Sequence, residues 1–136
     1  MNMWRRIRAD WSTRMSNADR TRVVIAFCFP LGAVLHVLWV WRHGDIMYHG
    51  VAPPWAAWFW YSLCVIDFSV CWLLLARPRA GIVAALAVMA YTSFVNLRFF
   101  PTFEFQFNYV LIGLLAFTVL VFCSARWIWI RSRWTL

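Results

Sequence analysis

The sequence predicts an all-α integral membrane protein, a four-helix transmembrane bundle preceded by an interfacial amphipathic helix. Three observations carry that prediction. First, 64% of the 136 residues are hydrophobic and only 13% are charged, too few to give a water-soluble domain its polar surface. Second, four apolar runs are each long enough to cross hydrocarbon, since about 30 Å of bilayer core needs around 20 helical residues at about 1.5 Å each. Third, arginine and tryptophan cluster at the ends of those runs, where charge and amphipathic rings meet water.

The runs are Val23 to Trp41, Trp55 to Ala76, Ala80 to Leu97 and Phe107 to Ala125. The first is longer than the apolar core of a secretory leader, and no small-x-small cleavage pattern follows it, so it reads as a retained helix. Pro30 and Gly32 lie near its middle and predict a bend there. Before it, residues 1–22 form a basic arm. Trp4, Ile7, Trp11 and Met15 recur in it at helical spacing, while Arg5, Arg6, Arg8 and Arg14 take the other faces, as in a helix lying in the membrane surface. Ser16 and Asn17 supply a break and a cap. Residues 126–136 form a basic and aromatic tail.

Orientation follows from charge. The chain has thirteen basic residues, all arginine. Arg5, Arg6, Arg8, Arg14, Arg20 and Arg22 precede the first span, Arg77 and Arg79 separate the second and third, and Arg126, Arg131 and Arg133 follow the fourth. All of these fall on one side, leaving only Arg42 and Arg98 on the other. Positively charged loops stay in the cytoplasm, so both termini and the middle loop are expected there, in a bacterial inner membrane. The same arginines bracket apolar runs and build no basic face, which argues against nucleic acid as a partner and for the lipid bilayer. Tryptophans agree. Trp39, Trp41, Trp55, Trp58 and Trp60 group at the outer face, and Trp4, Trp11, Trp72, Trp127, Trp129 and Trp134 at or beyond the cytoplasmic ends.

Candidate functional residues are the polar ones placed where polarity is costly. Counting about 1.5 Å per residue from the outer end of each span puts His36 roughly 9 Å deep and Asp67 roughly 18 Å deep. The same count puts Tyr61 and Thr92 level with His36, and Thr118 level with Asp67. Cys64, Asp67 and Cys71 stand at i, i+3 and i+7 on one face of the second span, expected to be the bundle interior. An ionised carboxylate at mid-bilayer would cost several kcal/mol without a cation, so Asp67 is expected to be neutral and hydrogen-bonded across the bundle, to Thr118 or to a trapped water. Such a group either locks helix packing or moves a proton, and the sparse polar residues favour the lock. Small residues, among them Ala84, Ala85, Gly113 and Ala116, are expected to let the helices approach closely.

Two outer loops carry the remaining candidates: His43, Asp45 and His49 in the first, and Glu104 within the aromatic run Phe99 to Tyr109 in the second. Imidazole and carboxylate are common metal ligands, but no spacing here fixes a coordination geometry, so no metal site is assigned. The four cysteines contain no CxxC pair. No cofactor or catalytic motif is indicated.

The stretch PPWAAWFWYSLCVIDFSVCWLLLARPRAGIVAALAVM, Pro53 to Met89, resembles the second and third helices of DoxX-like membrane proteins. The shared pattern is an outer proline, a helix with an acidic residue, a leucine-rich end, a short basic turn and an alanine-rich helix. Asp67 takes the acidic position, where the family usually has glutamate. The resemblance covers about a quarter of the chain and implies a four-helix bundle, with redox accessory roles in some members. Three functions are consistent with the residues. In order of support they are an accessory or assembly subunit of a membrane complex, docked to a protein partner or to further copies of itself; a redox or proton-coupled protein for a quinone-like molecule using Asp67 and His36; and a pore-forming or membrane-disrupting effector.

The charge distribution makes a direct prediction. A reporter that fluoresces only in the cytoplasm will be active when fused after Leu136, and a reporter that needs export will be active when fused near Tyr48. The opposite pattern would reverse the topology.

Overall fold

In the computed structural model the described residues are 15–44, 53–99 and 108–132, and they hold four helices. These are α1 (Asn17–His43), α2 (Pro54–Ala76), α3 (Pro78–Phe99) and α4 (Asn108–Arg131). All four are long and apolar enough to cross a membrane. The chain is therefore all-α and multi-pass, as its composition implies. Residues 1–14, the larger part of the basic arm, lie outside the described residues.

Local sequence fixes where each helix begins and ends. Ser16 caps α1. Its Oγ accepts the Asp19 N–H at 3.1 Å, while the Asp19 carboxylate takes the Ser16 backbone N–H at 3.3 Å and its hydroxyl at 2.7 Å. The helix starts at Asn17, six residues before the apolar run, so Arg20 and Arg22 belong to the same continuous helix as the span. Gly44 ends it. Its φ of 81° lies in the left-handed region that glycine adopts without steric cost, and its N–H closes the last turn on Val40 O at 2.8 Å. Pro54 opens α2 at a position where a missing N–H loses nothing.

Between α2 and α3 stands a single non-helical residue, Arg77, which precedes Pro78 and is thereby excluded from the helical region; its φ is −138° and ψ is 78°. So short a turn makes α2 and α3 antiparallel neighbours. A Cβ on Gly81 would come within 2.6 Å of the Leu73 carbonyl carbon, so only glycine lets α3 begin this close to the end of α2.

The helices pack in sequence order, α1 on α2, α2 on α3 and α3 on α4, and α4 returns to α1 through the thinnest of the four seams. One end of the bundle, called here the terminal end, collects the start of α1, the α2–α3 turn and the end of α4. The other is the loop end. A core of Ile25, Phe29, Leu74, Ile82, Met89 and Val121 fills the terminal half, with Phe29 edge-on to Phe117 at 5.5 Å. Ala56, Ala57, Trp60, Leu63 and Val95 fill the loop half. Phe27, Leu31, Val65, Trp72 and Ile112 point outward and are exposed, which suits a surface solvated by lipid.

Two polar contacts stitch this apolar frame. Ser132 Oγ donates to Asp19 Oδ1 at 2.6 Å, tying the end of α4 to the start of α1. Asp19 Oδ1 also lies 3.6 Å from Arg22 Nη2, and both side chains are buried. On the α3–α4 seam Thr118 Oγ1 donates to Leu114 O at 2.8 Å, which leaves it to accept from Ser93 Oγ, also at 2.8 Å.

The small residues divide. Ala85 is fully buried and Ala84 packs against the core, as expected, whereas Gly113 and Ala116 face outward. Among the described residues a Cβ on Gly113 would meet nothing within 4 Å. An apolar helix in lipid has no polar side to set its rotation, so small size alone did not reveal which face of α4 turns inward.

Candidate functional site

The polar face of α2 looks at α1. Tyr61, Cys64, Asp67 and Cys71 follow one another at three- and four-residue steps, and α1 answers with His36, Ala33, Gly32 and Phe29. Cys64 Sγ donates to Ala33 O at 3.8 Å, joining the helices at this level. One turn deeper, Asp67 is 6% exposed and directs Oδ2 to within 3.4 Å of where a Gly32 Cβ would stand. A methyl at position 32 would just touch the carboxyl, so a larger side chain there would crowd it. Asp67 faces the protein interior, as the helical spacing of Cys64, Asp67 and Cys71 predicts.

Its expected partner is a different matter. Thr118 is engaged by Ser93 and Leu114 on the α3–α4 seam, while Asp67 lies on the α1–α2 seam, so the two do not pair. Depth counting carries no information about which seam each residue faces.

His36 and Tyr61, placed level by the same counting, do come together. They line one cavity of about 280 Å³ with Val37, Val40 and Trp41 of α1 and Trp60 and Cys64 of α2. It lies toward the loop end, and the Cys64–Ala33 contact separates it from the Asp67 carboxyl below. Thr92 stays apart. It is buried on α3, and its hydroxyl has no hydrogen-bond partner among the described residues.

Of the outer-loop candidates, His43 is the last residue of α1, and Asp45, His49 and Glu104 lie outside the described residues. Among the described residues no three His, Cys, Asp or Glu side chains converge as metal ligands. The cysteines are free thiols, Cys71 buried and Cys123 exposed.

Sequence reading missed the polar cluster at the terminal end. Arg22 entered it only as a topology charge, and Asp19 and Ser132 not at all. A signal was present: Ser16 followed three residues later by Asp19, ahead of an apolar run, is a capping-box pattern.

Fold and site together define a four-span helical membrane protein with a polar α1–α2 seam and a side cavity. No family model, curated protein or solved structure matches the chain.

The close fit of Asp67 to Gly32 makes a coupled prediction. Gly32→Val will overpack the seam and lower stability in detergent by about 1–3 kcal/mol. Adding Asp67→Ala will recover most of that loss, whereas adding Asp67→Asn, which keeps the volume, will not. Thermal unfolding of the variants checks this, and strictly additive effects would separate the two residues.

Proposed function

We propose that the chain is a membrane-embedded accessory or assembly subunit, and that the outward face of α4 is where a transmembrane helix of the larger complex docks. Gly113 carries the proposal. Glycine inside a helix costs about 0.5–1 kcal/mol relative to alanine, and Gly113 returns nothing among the described residues, none of which has an atom within 4 Å of where its Cβ would be. The same face continues through Ala116, Leu120, Cys123 and Trp127, all exposed, at steps of three and four residues. Small residues such as Gly113 and Ala116 let a second backbone approach closely, and the van der Waals packing this allows is one source of helix association in lipid.

The resemblance of residues 53–89 to DoxX-like proteins, some with redox accessory roles, supports the same reading. In it both termini face the cytoplasm, in keeping with the arginine distribution.

The test uses the whole chain, affinity-tagged and extracted from its native membrane in a mild detergent, with masses read by native mass spectrometry. The wild-type chain will carry a partner, and Gly113→Leu combined with Ala116→Leu will release it while leaving the unfolding temperature of the isolated chain unchanged. A wild-type chain that runs alone, or a double variant that retains its partner, would contradict the proposal.

A further inference from the structure

The cavity between α1 and α2 has the shape and chemistry of a ligand site that the accessory role does not use. Trp60, 4% exposed, closes its inner side, whereas Trp41, 84% exposed, and Val37, 55% exposed, stand at its rim. Its rim therefore lies on the outward side of the α1–α2 seam. The Cys64–Ala33 contact forms its floor.

Size and polarity restrict the occupant. An engineered cavity of about 150 Å³ holds benzene, so by proportion about 280 Å³ holds roughly a dozen non-hydrogen atoms. The walls are mainly aromatic and aliphatic, which suits a ring packed against Trp41 and Trp60. Among the described residues no acidic side chain lines the cavity, so its walls offer an organic cation no counter-charge, and an anion would have to leave water for an apolar wall. Its polar groups include the His36 imidazole on one helix and the Tyr61 phenol on the other, beside the indole N–H groups of Trp41 and Trp60 and the Cys64 thiol. A neutral imidazole offers one donor and one acceptor, enough to fix a single hydroxyl or carbonyl.

The geometry points to a lateral binding site for a small, neutral, lipid-soluble amphiphile, a single ring or short chain bearing one hydroxyl or carbonyl that hydrogen-bonds to His36. The ligand enters from the bilayer past Trp41 and lies with its apolar body against Trp60. His36, several residues from the loop end of α1, sets the depth of the polar head.

Two photoreactive probes test this on the full chain in phosphatidylcholine nanodiscs: a trifluoromethyl-diazirine benzyl alcohol and the same phenyl diazirine without its hydroxymethyl group. Adducts of the alcohol, mapped by mass spectrometry, will concentrate on residues 36–41 and 60–64 and will be displaced by excess benzyl alcohol. His36→Leu will reduce labelling by the alcohol about fivefold, the effect of one neutral hydrogen bond, and leave the hydroxyl-free probe unchanged. Cys64→Phe, filling the floor, will reduce labelling by both. Adducts spread over the exposed faces of all four helices would indicate partition into bulk lipid only and overturn the site. So would equal labelling of wild type and His36→Leu by the alcohol. His36→Leu lies on the helix opposite Cys64, so it decides the matter even if Cys64→Phe fails to fold.

Discussion

The ring of four helices closes at one carboxylate. Asp19 takes the Ser16 hydroxyl and backbone N–H on Oδ2, and on Oδ1 it receives Ser132 from the far end of the chain with the Arg22 guanidinium beside it. Both oxygens are thus engaged, and the group is 3% exposed. A charge so enclosed is stable only when paired and hydrogen-bonded. In return it joins α1 to α4 at the terminal end of the thinnest seam, where Phe29 also meets Phe117 edge-on. Lipid tails are as apolar as leucine, so little hydrophobic force holds two helices together in a bilayer, and specific contacts must do so.

Each of the other seams has its own device. A one-residue turn and the backbone approach at Gly81 hold α2 to α3. The hydrogen bond between Ser93 and Thr118 holds α3 to α4, with Arg79 over the Trp129 ring at 5.8 Å nearer the terminal end. The fit of Asp67 against Gly32 and the Cys64–Ala33 contact hold α1 to α2. With all four seams engaged, two features remain turned toward lipid: the small-residue face of α4 and the side cavity beside His36. They lie on different helices, so a docked helix and a bound amphiphile are compatible.

How much of this was legible in the sequence depends on the kind of information involved. Run length and hydropathy give four spans, and the four helices match the apolar runs to within a few residues, except at the start of α1 and the end of α4. There the helix runs on through charged residues that composition assigned to the arm and the tail. Counting rise per residue set His36 and Tyr61 at one level, and the two line one cavity. Helix rotation was legible for α2, whose inward face Asp67 and Cys71 mark, but not for α4. A soluble helix advertises its inward face by amphipathicity, whereas these helices are apolar all round, so Gly113 turned outward and Thr118 turned toward Ser93 without a sequence signal. Asp19 escaped notice for another reason: its capping role is local and readable, but its bond to Ser132 joins residues 113 positions apart.

The claim that this carboxylate closes the bundle is tested most directly by unfolding Asp19→Ala in detergent while following crosslinks on two seams. Removing one partner of a buried ion pair costs about 3–5 kcal/mol. The variant should lose stability on that scale, and crosslinks between the terminal ends of α1 and α4 should fail before those between α2 and α3. Wild-type stability in Asp19→Ala, or simultaneous loss of both sets of crosslinks, would contradict the account.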